Sequence, residues 1–230
     1  MARRRFRGLV FAWKAFCYTL GTALLAVIAI QLWFFSHIVY WSSFNPSSTA
    51  FMDQHMEKPG ARLRYQWVPY SRISEHLKRA VVAAEDAKFL DHEGFDWEAI
   101  QKNEQRGKVV AGASTITQQL AKNMFLSGHR SWLRKGQEAV ITWMMERTLS
   151  KRRILEIYLN VAEWGEGIFG AEAAARYHFG VSAAALGPEQ AAWLAAILPS
   201  PKRYERGRRT PYLEGRMVTI SSRMTGAQIP

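Results

Sequence analysis

Between Lys14 and Asp53 the chain carries no Lys, Arg, Asp or Glu, and the centre of that interval, Leu20-Gly21-Thr22-Ala23-Leu24-Leu25-Ala26-Val27-Ile28-Ala29-Ile30-Gln31-Leu32-Trp33-Phe34-Phe35, is almost wholly apolar. A single helix pairs its own backbone groups inside lipid, and about 20 apolar residues suffice to cross a bilayer. The stretch therefore predicts a membrane-spanning helix over residues 15–40, which tethers whatever follows to a membrane. A cleavable signal peptide fits less well. The run exceeds the usual apolar region of such a peptide, lacks a small-x-small exit, and ends in Trp33, Phe34, Phe35, Tyr40 and Trp41, aromatics suited to a membrane interface. Arg3, Arg4, Arg5, Arg7 and Lys14 precede the helix with no acid among them, so residues 1–14 are expected as a basic cytoplasmic tail and the remainder on the opposite side.

The 230 residues leave room for this segment and one further domain, or at most two small ones. Asn45-Pro46-Ser47-Ser48-Thr49 reads as polar and turn-rich, giving a linker over 41–60 and a domain over 61–230. Lys and Arg total 31 against 19 for Asp and Glu, a net charge of +12. Without the five N-terminal cations 26 still face 19 acids, so the domain is itself basic and calls for an anionic partner. Beyond a membrane that partner is headgroup phosphate or a phosphorylated lipid, not nucleic acid. The single cysteine, Cys17, excludes an intramolecular disulfide and a Cys-based zinc site. No internal repeat or long alternating run appears, so the domain is expected to be mainly α-helical.

Within the domain, Ile73, Leu77, Ala80, Val81 and Ala84 share one face of a 3.6-residue period, and Glu85 sits on its flank. A carboxylate held against apolar surface has its charged form disfavoured, which moves its pKa toward that of a general base or acid; the bland alternative is a solvated acidic turn. Ser71 or Ser74 is the expected cap of this helix and Gly94 its end. After the basic loop Gln105-Arg106-Gly107-Lys108, Ser114 is the expected cap of a second helix. There Ile116, Leu120 and Met124 form one stripe, and Thr115, Gln119 and Lys122 a polar one suited to sugar or phosphate, unless it is simply wet. Arg134, Lys135 and Glu138 stand at helical spacing and, taken alone, read as surface ion pairs. Ile154, Leu155, Tyr158 and Leu159 read as core scaffold, with Glu156 a structural acid. Trp164 to Gly170 is a tight connection, and the alanine-rich helices after Ala171 and Pro188 are packing elements.

The wording of these segments carries more. Glu85-Asp86, Phe89, His92, Gly94, Phe95 and Asp96 resemble the first signature of the peptidoglycan glycosyltransferases, lysozyme-like enzymes that polymerise lipid II. Gly112-x-Ser114-Thr115-Ile116-Thr117-Gln118-Gln119-x-x-Lys122-Asn123 resembles the second, Arg134-Lys135-x-x-Glu138 the third, and Lys151-x-x-Ile154-Leu155-Glu156-x-Tyr158-Leu159-Asn160 the fourth. Arg216, Ile220, Arg223 and Met224 are loosely similar to the fifth. The order is the family's, and the absence of a Ser-x-x-Lys motif points to its monofunctional members.

That resemblance implies a lysozyme-like helical domain behind one membrane helix, in the inner membrane with the domain outside. It implies inverting transfer from a lipid-pyrophosphate donor to the 4-hydroxyl of an acceptor, giving β-1,4-linked glycan and undecaprenyl pyrophosphate. Glu85 is then the catalytic base and Glu138 the second essential glutamate, ordering the cations or helping to hold a divalent ion. Lys122, Arg134 and Lys135 form a cradle for pyrophosphate. Asp86, Phe89, His92, Ser114, Thr115, Gln118, Gln119 and Asn123 complete the expected substrate contacts, with Asp86 alternatively orienting the first turn. No cofactor is required by the sequence, magnesium or manganese being compatible with it. The expected partners are lipid II, the nascent glycan, the membrane, and cell-wall synthesis or division proteins. Two rivals remain: a lysozyme-like enzyme that cleaves glycan, for which a basic cradle has no use, and a membrane-anchored adaptor without activity, which leaves the ordered signatures unexplained.

Overall fold

The computed structural model describes residues 2–105, 114–126, 128, 131–207 and 210–230. Its first helix, α1 (Ala2–Trp41), contains a stretch, Trp13–Trp41, that is long and apolar enough to cross a membrane. Ala50–Met56, inside the segment read as linker, forms a short helix α2 capped by the Thr49 hydroxyl, with Met52 buried. Strand β1 (Arg64–Tyr65) and a 3-10 turn at Tyr70–Arg72 lead to α3 (Glu75–Glu85), followed by α4 (Trp97–Gln105), α5 (Ile116–Phe125), α6 (Trp132–Thr148) and α7 (Lys151–Val161). A hairpin of β2 (Glu163–Gly165) and β3 (Ile168–Phe169), then α8 (Ala171–Phe179), α9 (Pro188–Ile197) and α10 (Pro211–Met224), complete the chain. The tight connection expected around Gly167 is this hairpin; β3 lies between β2, antiparallel to it, and β1, parallel to it.

Two helical groups meet to make the domain. In one, α3, α9 and α10 pack together through Leu77, Ala80 and Val81, the small face of α9, and Leu213, Met217 and Ile220. In the other, α5 packs on α6, α7 and α2 through Ile116, Leu120, Ile141, Met145, Ile154 and Leu155. The small residues of α9 let its neighbours approach closely, as its composition predicts. Pro188 opens that helix at a position where a missing N–H costs nothing.

The fourth signature is structural, as its spacing suggests. The Asn160 side chain acts as a strand partner for Val68: Val68 N donates to Oδ1 and Nδ2 donates to Val68 O, each at 2.9 Å. Glu156 accepts from Tyr70 N at 2.8 Å, so α7 fixes the path that delivers α3. Gly170, at φ +86°, lies where a Cβ would come within 2.5 Å of the Asn160 carbonyl oxygen, and no other residue fits.

Helix ends depart from expectation in three places. Ser74 stands at the N-cap of α3, but its hydroxyl donates to the Leu186 carbonyl instead of capping. That helix ends at Glu85, well before Gly94, because the next side chain, Asp86, is drawn into bonds with another element. Thr115, not Ser114, caps α5 in a reciprocal box with Gln118.

The outer end of α1 is seated on the domain. Phe34, Ile38 and Trp41 are buried, and the Phe125 ring meets Phe34 and Trp41 at centroid distances of 5.0 and 4.9 Å. Arg153 donates to the carbonyls of Trp41 and Phe44 and to Asn45 Oδ1 at 2.7 to 2.9 Å, taking up acceptors that the helix end leaves open.

Candidate active site

Glu85 is the last residue of α3, at the seam between the two helical groups, and its side chain is 11% exposed. Gln119 Nε2 donates to one carboxylate oxygen and Arg216 Nη2 to the other, both at 2.9 Å. Burial pushes the Glu85 pKa up, against the opposing pull of the Gln119 hydrogen bond and of the Arg216 and Lys122 charges. The apolar-flank reading of Glu85 therefore describes its surroundings. The Gln119 amide is oriented from behind, where Tyr158 OH donates to its Oε1 at 2.8 Å.

Asp86, next in sequence, is committed differently. One oxygen contacts His92 Nε2 at 2.8 Å and the other accepts from Ile116 N at 3.0 Å, so this carboxylate orients the first turn of α5. Gly94 N donates to His92 Nδ1, which makes Nε2 the protonated ring nitrogen facing Asp86. Thr115 Oγ1 donates to Gly94 O, tying the first signature to the second. Gly94 has φ +89°, and an added Cβ would fall 2.8 Å from Thr142 on α6, so the third signature's helix packs on the same point.

Of the expected substrate contacts, Phe89, Thr115 and Gln118 point elsewhere. Phe89 is wholly buried in the core beneath the Lys151 ammonium, and the Thr115 hydroxyl and the Gln118 side-chain oxygen are engaged in the capping box. Asp86 and His92 pair with each other. Ser114 and Asn123 are half-buried near the two ends of α5.

Lys122 lies one turn beyond Gln119 on the same face of α5. Burial lowers its pKa, Glu138 opposes that shift, and the Arg134 and Lys135 charges add to it. Glu138 is buried and receives Arg134 Nη1 at 2.9 Å and the Lys135 ammonium, so these residues form a held cluster instead of the surface pairs their spacing alone suggests. Arg134 Nε and Arg216 Nε are buried with no partner among the described residues. The structure thus brings together Glu85, Gln119 and Arg216, and separately Arg134, Lys135 and Glu138, with Lys122 sensing Glu85 and Glu138 alike. Among the described residues no group of three His, Cys, Asp or Glu side chains is placed to hold a metal ion. Residues 106–108 of the basic loop, and Gly112 and Ala113 of the second signature, lie outside the described residues.

The sequence does not mark Arg216 or Tyr158 as candidate site residues, yet both join the Glu85 cluster. Arg216 belongs to the weakest signature, and Tyr158 carries an apolar-face spacing that hides the use of its hydroxyl. Lys88 stands only three residues after Glu85 but pairs with Glu98, so the cation that reaches Glu85 comes from a distant part of the chain.

Residues 53–225 match the family described as Transglycosylase. The biosynthetic peptidoglycan transglycosylase of Nitrosospira multiformis is 54% identical over 227 residues, covering 95% of this chain and 97% of the relative. Proteins of the same description from Azoarcus sp. and Methylobacillus flagellatus are 56% and 55% identical, covering 92% and 90% of this chain and 96% and 95% of their own lengths.

Proposed function

The chain belongs to the transglycosylase family, and from that premise we propose that it polymerises lipid II into β-1,4-linked glycan with release of a polyprenyl pyrophosphate. The observation that carries this reading is the combination along one face of α5: a buried carboxylate with a raised pKa at Gln119 and, one turn on, Lys122 leading to the Arg134–Lys135–Glu138 cluster. A pyrophosphate is already a good leaving group, so it needs cations to take up its charge and no acid to protonate it. The acceptor hydroxyl does need a base.

In this mechanism the ionised Glu85 takes the proton of the acceptor 4-hydroxyl as the oxygen attacks the donor anomeric carbon. The bond from that carbon to the phosphate oxygen breaks, and its electron pair leaves with the pyrophosphate toward Lys122, Arg134 and Lys135. Glu138 holds two of those cations in place. The α-linked donor becomes a β-linked product, since base and leaving group act from opposite faces of the sugar. Gln119 and Arg216 keep Glu85 aimed and, by favouring its ionised form, limit the rise that burial causes. Membrane anchoring through Trp13–Trp41, with the N-terminus cytoplasmic and the domain outside, puts the site beside a lipid-borne donor.

The test is to incubate the purified full-length protein with labelled lipid II, and separately with preformed glycan, and to size the products. Growth from lipid II with glycan left intact is expected. Shortening of glycan without growth would replace this reading with the hydrolytic one, in which Glu85 acts as an acid.

A further inference from the structure

Gln31 places an amide within the apolar run of α1, and an amide without a partner in hydrocarbon is costly. The structure supplies one partner for both halves of it. Gln31 Nε2 donates to Gln137 Oε1 at 2.9 Å, and Gln137 Nε2 donates back to Gln31 Oε1 at 3.0 Å. Gln137 lies on α6 immediately before Glu138. The pair thus connects the membrane helix to the helix that carries the cationic cluster.

Its depth follows from helix geometry. A crossing of about 20 residues that begins at Trp13 ends at Leu32, and one that begins at Phe16 ends at Phe35. Either way Gln31 falls near the far boundary of the hydrocarbon, and Gln137 is held at the same level. The rest of α6 agrees. Trp132, Leu133, Val140 and Trp143 are 87%, 87%, 41% and 55% exposed and fall on one face of the helix, opposite Arg134 and Glu138. Beside α1, that apolar face continues the surface of the spanning helix, so the first turns of α6 lie along the boundary with Arg134 directed away from lipid, while Arg147, in the last turn on the same apolar face, pairs with Glu93.

We propose that the Gln31–Gln137 pair is a positioning latch for the transfer reaction. It fixes α6 against α1 at one height and one rotation, and so sets Arg134 and Lys135 at the level where a lipid-borne pyrophosphate emerges from the bilayer. Two parallel amide bonds specify both height and rotation, which apolar packing alone leaves free to slide. Gln31 touches no reacting atom; it acts through α6. The inference rests on the polymerase reading above.

The experiment uses the full-length protein in lipid vesicles with long-chain lipid II, and in parallel a short-chain, water-soluble donor analogue. Gln31→Leu keeps the span apolar and removes the pair. Its KM for the vesicle substrate is expected to rise about three- to fifteen-fold, the range that measured interhelical hydrogen bonds span, with kcat held within about twofold. With the soluble donor, whose pyrophosphate is not held at a fixed depth, KM should match the wild type. Gln31→Leu/Gln137→Leu restores apolar contact without a stranded amide, so its thermal stability should recover while the vesicle KM stays raised. A wild-type vesicle KM in either variant, or an equal rise with both donors, overturns the latch. Failure of the polymerase reading would be visible separately, as a wild type that turns over neither donor.

Discussion

The orientation of Gln119 gives Tyr158 a measurable part in setting Glu85, the proposed base. An ionised carboxylate only accepts hydrogen bonds, so the amide must turn Nε2 toward Glu85, leaving Oε1 to accept from Tyr158 OH. Burial keeps that phenol far above its ordinary pKa, so it remains a donor throughout the working range. Tyr158→Phe leaves Oε1 buried without a partner, a cost of about 1–3 kcal/mol, and removes the constraint that stops the amide from turning over. If the amide turns, Glu85 loses a donor to its charged form, worth about 1.5–3 kcal/mol, or about one to two pH units. The sign is fixed by the causes already named: burial raises the Glu85 pKa, the Gln119 bond lowers it, and losing that bond raises it further. Since the base works ionised, the acid limb of the rate profile should move to higher pH by about one unit or more, with rates converging on the wild type in the alkaline range. Initial polymerisation rates for both proteins across about pH 5 to 9 measure this. An unmoved limb, or a uniform loss at every pH, would refute the relay and reduce Tyr158 to packing.

Glu85→Gln should retain lipid II binding and lose at least about a hundredfold in polymerisation, measured side by side with the wild type. Lys122→Ala or Arg134→Ala should each cost several kcal/mol in kcat/KM, since charge-assisted contacts to phosphate are strong; Lys122→Arg should rescue only in part, a planar fork filling the site differently from a point charge. Gly94→Ala meets both a positive φ and the Thr142 methyl, so thermal unfolding should show about 1–3 kcal/mol of destabilisation. A reporter that needs the extracytoplasmic side should be active when fused after Pro230, and a cytoplasmic signal would reverse the orientation.

Much of this architecture is local in origin and therefore legible. The membrane helix follows from an uncharged run, and the buried face of α3 from the spacing of Leu77, Ala80 and Val81. The scaffold role of α7 follows from Ile154, Leu155, Tyr158 and Leu159. What escaped depends on long-range contact. Arg216 reaches Glu85 across 131 residues, and no periodicity in α10 marks it out. Thr115 and Gln118 read as ligand-binding polar residues, although Thr-x-x-Gln before an apolar stripe is also a capping box, the role the fold gives them. Glu138 shows the reverse: its spacing from Arg134 and Lys135 suggests an exposed ion pair, and only packing reveals that the acid is buried.

The bond from Ile116 N to the Asp86 carboxylate has a kinetic meaning as well as a geometric one. It joins residues 30 apart, and Thr115 Oγ1 to Gly94 O joins residues 21 apart, so neither closes until α3 and α5 have found each other. Contacts of such sequence separation require loop-closure entropy to be overcome before they stabilise anything. The start of α5 is thus an acquired feature of the assembled domain, and the turn that aims Gln119 at Glu85 completes only on docking. The Ile116 amide, shielded by a buried carboxylate, exchanges its proton with solvent only when that junction opens, so its exchange rate reports how often the assembled site comes apart.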